Sequence, residues 1–129
     1  MSPRKSISSA SPYESKFGFC RAIKVGNTIH IAGTAPIGKD GQTVGVGDPE
    51  AQARRCFDII GESLNQLGAS YANVVRTRMF LTRISDWEII GVVHGDYFSE
   101  IRPVSTMVEV AQLIDSDWLV EIEAEAIVD

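Results

Sequence analysis

The densest run of ionisable groups in the sequence is a set of carboxylates at every second position, Glu121, Glu123 and Glu125, within WLVEIEAEAIVD. Side chains alternate across a strand, so these three share one face and Val120, Ile122, Ala124 and Ala126 share the other. Like charges side by side repel, and such a face needs solvent, cations or a partner subunit. Arg76 and Arg78 alternate in the same way in an earlier apolar run. Their phase places them on the glutamate face, where a guanidinium balances a carboxylate or grips one bidentately. The segment RPVSTMVEVAQL, beginning at Arg102, adds the hydroxyls of Ser105 and Thr106 and a fourth carboxylate, Glu109. Its expected phase sets Ser105, Met107 and Glu109 with the glutamates, and Thr106, Val108 and Val110 opposite them. Any chemistry of this chain is expected at the edge of that charged face.

Other chemistries are poorly served. No histidine lies near Ser105 or Thr106 in sequence, and no Ser-His-Asp pattern or nucleophile elbow is present. Hydrogen bonding in a pocket suits these hydroxyls better than nucleophilic attack. His30 and His94 are isolated, whereas a metal site wants three or four ligands. Both read as structural histidines, His94 with the option of bordering a pocket, and neither a metal nor a cofactor is expected. Cys20 and Cys56 lack metal-like spacing and read as buried reduced thiols. The glycines of 38–47 have no Gly-Lys-Ser/Thr ending and form no phosphate loop. At 129 residues, 44% hydrophobic and 22% charged, the chain reads as one globular domain, 1–129. A net charge of −5 argues against a nucleic-acid partner, which needs a basic footprint. No leader pattern follows Met1, and no run approaches the ~20 apolar residues of a membrane span. The expected compartment is the cytoplasm, with no membrane partner.

These groups need elements to hold them. Residues 1–12 are rich in Ser, Pro and Lys and read as a loose arm. Phe19–Val25 and Thr28–Thr34 read as two strands around a Gly26-Asn27 hairpin turn. Pro36 to Gly47 reads as a loop with one short edge strand at most. Asp48 as N-cap and Pro49 at the first helical position open a helix. Cys56, Phe57, Ile60, Leu64 and Leu67 give it an apolar face, and Gly68 stops it. Asn73–Thr82 reads as the next strand, with Val75, Thr77, Met79 and Leu81 facing inward. A second helix is expected from Ser85, with Glu88 at capping-box spacing and Trp87, Ile90, His94, Tyr97 and Phe98 on its inner stripe. Pro103 then opens a final hairpin whose turn is Ile114-Asp115-Ser116-Asp117. This order predicts a two-layer α+β domain, a mixed sheet with two helices on one face.

Gly26-Asn27-Thr28-Ile29-His30-Ile31-Ala32-Gly33-Thr34-Ala35-Pro36 resembles the early strand of the reactive intermediate deaminase family, RidA or YjgF. Pro103–Val110 together with Val120–Ala124 resembles that family's C-terminal signature. Ala51–Arg54 is similar to its first helix start, and Val74–Phe80 to its middle strand. The resemblance extends from about Phe17 onward. It implies a chorismate-mutase-like fold, a homotrimer, small-molecule pockets between subunits, and hydrolysis of imines and enamines to 2-oxo acids and ammonia. It also implies a site of Phe19, Ala32, Gly33, Gly91, Ser105, Met107 and Glu121, with Glu121 as the catalytic carboxylate that directs water. Gly33 and Glu121 match the family pattern. Ser105 stands where the active deaminases have the arginine that grips the substrate carboxylate. Phe19, Ala32, Met107 and Gly91 replace a tyrosine, a small polar residue, a cysteine and an asparagine. The chain is therefore similar to arginine-lacking branches, with 2-imino acid deamination expected to be weak unless Arg78, Arg76 or Arg102 supplies the missing charge. The alternative is a non-catalytic trimer that binds a small ligand. An old nuclease label for the family does not suit so acidic a chain.

Overall fold

The computed structural model describes residues 3–9 and 11–129. Its strands are β1 (Arg4–Ile7), β2 (Ala22–Val25), β3 (Thr28–Thr34), β4 (Val74–Leu81), β5 (Val104–Glu109) and β6 (Val120–Ile127). Its helices are α1 (Pro12–Phe17), α2 (Pro49–Gln66) and α3 (Trp87–Phe98), with single 3-10 turns at Tyr71–Asn73 and Ile84–Asp86. The strands form one six-stranded sheet in the order β1-β2-β3-β6-β4-β5. All neighbours are antiparallel except β4 and β5, which run parallel. This is an α+β fold with a mixed sheet.

α2 begins where its sequence places it. Asp48 Oδ1 accepts from the Ala51 N–H at 3.1 Å, Pro49 occupies the first turn, and Gly68 takes a φ of 79° just beyond the end. Ala53, Cys56, Phe57, Ile60 and Leu64 turn their face onto the sheet. Ile29, Ile31, Met79, Leu81, Val120, Ile122, Ala124 and Ala126 meet them from the strands, and Ile90, Val93 and Phe98 from α3. Gln52 is buried yet fully used. Its amide nitrogen donates to Gly45 O at 3.2 Å and Asp117 O at 2.9 Å, while its oxygen accepts from Leu119 N at 2.7 Å. That side chain ties the loops before α2 and β6 together.

The ends of the sheet depart from the sequence expectation. Residues 4–7 are not a loose arm but the edge strand β1, paired with β2, and α1 follows; residues 1, 2 and 10 of the expected arm lie outside the described residues. β1 is joined through its backbone while its side chains stay mostly exposed, so no hydrophobic pattern announces it. Phe19, Cys20 and Arg21 precede β2 rather than lying in it. β5 and β6 are not a hairpin. The connection 110–119, turning where Asp117 N–H and Trp118 N–H bond Asp115, carries the chain past β4 instead of back onto β5. β4 is the better partner for both. Arg76 and Arg78 stand opposite Glu125 and Glu123 of β6, and the α3 crossover delivers β5 parallel to β4.

The phase of β5 is also opposite to expectation. Ser105 lies beside Thr77, and Met107 beside Met79, on the helix-covered face. Val104, Thr106 and Val108 join Arg76, Arg78 and Phe80 on the open face. A strand at the sheet edge has no strong apolar row to fix its facing. Within β4 a register shift between Val74 and Arg76 turns Val75 outward and buries Val74 in its stead. At α3 a 3-10 turn precedes the helix, so Ser85 is not its cap and Trp87 faces outward; Val93 takes the inner position.

Candidate functional site

Glu121 and Gly33 meet at an irregularity in β3. The pairing of β3 with β6 shifts between Ile31 and Thr34, so Ala32 and Gly33 bulge. A Cβ at Gly33 would overlap Glu121 Oε2, so a side chain there would push the carboxylate from its place. Arg21 fills the underside. Its Nη2 donates to Gly33 O at 2.9 Å, to Thr34 Oγ1 at 2.9 Å and to Ala32 O, while its Nε is buried without a partner. One guanidinium thus satisfies carbonyls that the interrupted ladder leaves free. The charge of Glu14 of α1 also acts on Arg21, and Glu14 accepts from the N–H and hydroxyl of Ser9. Phe19, two residues before Arg21, is 51% exposed.

Burial pushes the Glu121 carboxyl above the ordinary carboxylate range. The positive charge of Arg21 opposes that rise, and Glu123 adds to it. Burial also weakens the Arg21 guanidinium's hold on its proton, with Glu14 and Glu121 compensating. Glu14 moves the other way from Glu121: burial raises it, but the hydrogen bonds from Ser9 and Ser8 and the charge of Arg21 outweigh that and hold it low.

Ser105 belongs to a different cluster. Thr77 is fully buried, and its Oγ1 stands 2.8 Å from Ser105 Oγ and 2.8 Å from His94 Nε2. The His94 ring packs at 5.7 Å from the Phe57 ring and 4.8 Å from Phe98. Burial lowers the proton affinity of His94, which keeps the imidazole neutral near pH 7. Met107 packs half-buried at the rim of the core. Gly91 lies one turn before His94, and nothing occupies the space where its side chain would be.

Arg78 is committed elsewhere. Its Nη1 lies 3.1 Å from Glu125 Oε1 and 3.6 Å from Glu123 Oε1. Arg76 and His30 add contacts to Glu125 at 3.5 and 3.4 Å. His30, Ile31, Arg78, Glu123, Ala124 and Glu125 line a shallow depression of about 270 Å³ on the open face. Arg102 sits in the connection before β5, its Nε donating to Ser99 O at 3.2 Å. Among the described residues no three His, Cys, Asp or Glu side chains converge as metal ligands.

Within one chain, the sequence-derived site therefore divides. Ala32, Gly33 and Glu121 gather at the β3 bulge, with Phe19 in the segment leading to Arg21. Gly91, Ser105 and Met107 lie on the helix side across β4, and Arg78 belongs to a third group. The expectation that Ser105 and Met107 share the face of Glu121 fails for the reason already given, the register of β5 on β4. Sequence reading also missed Arg21 and Thr77, and gave His94 only the option of bordering a pocket. Arg21 showed as a lone charge in the apolar stretch FGFCRAI. Thr77 and His94 were both placed inward by periodicity; only the facing of Ser105 was needed to join them.

A mixed sheet with α2 and α3 on one face places the chain in the α+β class, with the fold of YjgF-family structures. The endoribonuclease L-PSP family model matches residues 9–128, so the chain belongs to that family, which is the RidA/YjgF family. It is 37% identical over 120 residues to uncharacterized protein SCO2049 of Streptomyces coelicolor, covering 93% of this chain and 89% of that one. It is 34% identical over 105 residues to the 3-aminoacrylate deaminase RutC of Acinetobacter baylyi, covering 81% and 82%. Rv2704 of Mycobacterium tuberculosis, described as a YjgF/YER057c/UK114 family member, superposes with a TM-score of 0.88 at 44% identity, over 98% of this chain and 100% of that one. Among the described residues no helix is long and apolar enough to cross a membrane.

Proposed function

We propose that the chain is a RidA-like hydrolase of small imines and enamines, active between copies of itself in a homotrimer. The observation that carries this reading is Glu121: a half-buried carboxylate with raised proton affinity, set against a glycine bulge and under the charge of a half-buried arginine. A general base works best with a proton affinity near the working pH, and burial moves Glu121 in that direction. In the reaction, Glu121 takes a proton from water as its oxygen attacks the C=N carbon. The nitrogen then gains a proton and leaves as ammonia, and a carbonyl compound remains. The open face, with Val104, Val108 and Phe80 among its charges, suits contact between copies. On this reading the exposed edge strand β5, which carries Ser105 and Met107, meets the β3 bulge of the next copy, with its Glu121, Gly33, Ala32 and Phe19.

The substrate preference follows from charge. Ser105 replaces a guanidinium, and Arg78 is already paired with Glu123 and Glu125. A hydrogen bond to a charged group is worth about 1.5–3 kcal/mol, or roughly 10- to 150-fold in binding. Substrates without a carboxylate are therefore favoured over 2-imino acids. The pairing of Arg78 also supports the second reading, a trimer that binds a neutral ligand without turning it over.

Ammonia release tests the choice. The panel is 3-aminoacrylate, 2-iminobutanoate and their carboxamides, with spontaneous hydrolysis subtracted. Faster turnover of the amides, lost in Glu121→Gln, supports the hydrolase. No rate above background on any member, with ligand still raising the thermal midpoint, supports the binding protein. Sedimentation at micromolar concentration checks assembly, and a monomer mass removes the shared site from both readings.

A further inference from the structure

We infer that a groove between α1, the loop 36–47 and the connection 110–119 is a binding site for a small organic ammonium ion, a charged nitrogen on an apolar body. The groove shares no residue with the Glu121 bulge or the Ser105 cluster, so the inference stands apart from the hydrolase reading.

The groove has a volume of about 560 Å³, within the range of small-molecule sites. Its walls carry the rings of Tyr13 and Trp118, the aliphatic side chains of Val46 and Ile114, and the carboxylates of Asp115 and Asp117. Ile114 is 93% exposed, and Val46 and Tyr13, which line the same groove, are 64% and 58% exposed. Scattered apolar residues on a surface are ordinary, whereas a group of them marks a contact site. The walls are built before any ligand arrives. The loop closes on itself through Ile37 and Thr43, and Arg55 of α2 donates to Ile37 O at 2.7 Å. The Trp118 indole N–H donates to Thr43 Oγ1 at 3.2 Å, which joins the connection to the loop. Buried Gln52 bonds Gly45 O in one wall and Asp117 O in the other. A preorganised site spares its ligand the cost of ordering the walls.

The charge of the occupant follows from what the groove leaves unpaired. Asp115 Oδ1 accepts from the Asp117 N–H at 2.8 Å, but among the described residues no cation stands within ion-pair distance of either carboxylate. Glu123 and Glu125 of the open face, by contrast, both have Arg78. No lysine, arginine or histidine among the described residues lines the groove. Aromatic faces attract cations through their quadrupole, tryptophan most strongly. α1 shows this preference within the chain itself: the Lys16 ammonium lies 5.3 Å from the centre of the Phe17 ring, which stacks on Tyr13 at 5.9 Å. Two rings and two carboxylates suit an organic cation. A metal ion is served less well, because among the described residues no three His, Cys, Asp or Glu side chains converge. An anion meets only like charge, and the net charge of −5 draws cations toward the chain.

The indole N–H signals in ¹H–¹⁵N spectra test the site, because Trp118 lines the groove and Trp87, on α3, does not. The probe is phenethylammonium, with 2-phenylethanol as its neutral counterpart and 3-phenylpropanoate as an anion of similar size. Phenethylammonium is expected to move the Trp118 signal saturably at millimolar concentration, to leave Trp87 in place, and to bind roughly 5-fold more tightly than the alcohol, the size of one cation–π contact. The anion is expected to bind more weakly than either. The double variant Asp115→Asn, Asp117→Asn keeps the Oδ1 acceptor and the backbone carbonyl that Gln52 uses. It is expected to shrink the preference for the cation over the alcohol and to leave alcohol binding unchanged. Tyr13→Leu, which removes a ring from the exposed wall, is expected to weaken cation binding by about 3-fold. A Trp118 signal that does not saturate, or that moves no more than Trp87, overturns the site. Equal affinity for cation and alcohol in the wild type, or a cation preference that survives the double variant intact, overturns the assignment of its ligand. None of these outcomes depends on ammonia release, so failure of the hydrolase reading is read separately.

Discussion

The two polar clusters are built on opposite principles. At the β3 bulge, charge does the holding: the charges of Glu14 and Glu121 act on Arg21, which carries the backbone of Ala32 and Gly33. Beneath α3, neutral hydrogen bonds do it: Ser105, Thr77 and His94 are linked among aromatic rings with no ion pair. The first arrangement responds to any change in local charge. The second responds to the loss of a single hydroxyl, because a buried polar group left without its partner costs free energy. A site assembled from both halves joins an ionisable base to a donor and acceptor chain tuned by burial alone.

The comparison is broken most severely at Glu121. Glu121→Gln keeps the shape of the bulge and removes the base, and a loss of about 10²- to 10⁴-fold in kcat is expected in the ammonia assay. Gly33→Ala drives a methyl group into Glu121 Oε2. It is expected to displace the carboxylate and lower turnover in the ammonia assay, with little change in urea unfolding, because the methyl meets only the end of a flexible side chain. A Gly33→Ala protein with full activity would show that the carboxylate does not need its place over the bulge.

Arg21→Met comes next. It removes the donor from Ala32 O, Gly33 O and Thr34 Oγ1, and a stability loss of about 1.5–3 kcal/mol is expected. It also removes the nearest cation from Glu121, so the proton affinity of that carboxyl rises further, as ¹³C titration of Glu121 would report. An unmoved Glu121 titration would separate the scaffold role of Arg21 from its electrostatic one.

The pH response sharpens the contrast within the charged half. Glu121 holds its proton more tightly folded than unfolded, so its contribution to stability is full below the ordinary carboxylate range and is lost as pH rises through its raised value. Glu14 is held low, so its contribution is full above the ordinary range and is lost as pH falls through its depressed value. Urea midpoints followed from acid to neutral pH should therefore change in opposite senses when Glu121→Gln and Glu14→Gln are compared with wild type. His94, also depressed, contributes stability that is lost as pH falls below the usual histidine value. Curves for the two variants that shift alike would show that burial at Glu121 and the serine hydrogen bonds at Glu14 do not separate the two carboxylates.

The smallest effect is expected at Arg78. Its exposed pairs with Glu123 and Glu125 are worth about 0–1 kcal/mol, and Arg78→Ala is expected to leave turnover of the carboxamides within about two-fold. A large loss would return Arg78 to the role of anion grip.

How far the sequence was legible follows the distribution of buried apolar surface. α2 was readable at both ends because Asp48-Pro49 and Gly68 carry distinct backbone chemistry. β6 was readable because its alternation is sharp, and the inward phase of Thr77, Met79 and Leu81 was right because α2 and α3 cover those positions. β1 and β5 lie at the sheet edges, their side chains mostly exposed, and their partners are set by backbone pairing that leaves little trace in residue type. The glycine and carboxylate of the candidate site were recognised by resemblance. Arg21 was not, since its three acceptors include two carbonyls that exist as free groups only once the bulge has formed.

β5 carries one more consequence. As the last strand of the sheet it offers an unpaired backbone edge along Val104–Glu109, with Val104 and Val108 exposed and no lysine among them. A bare edge of this kind templates further strands. Pro103 blunts only its entrance. The solubility of the separated chain at high concentration is thus governed by this rim and not by the well-filled core, and a single lysine at Val104 or Thr106 is where a more soluble form would begin.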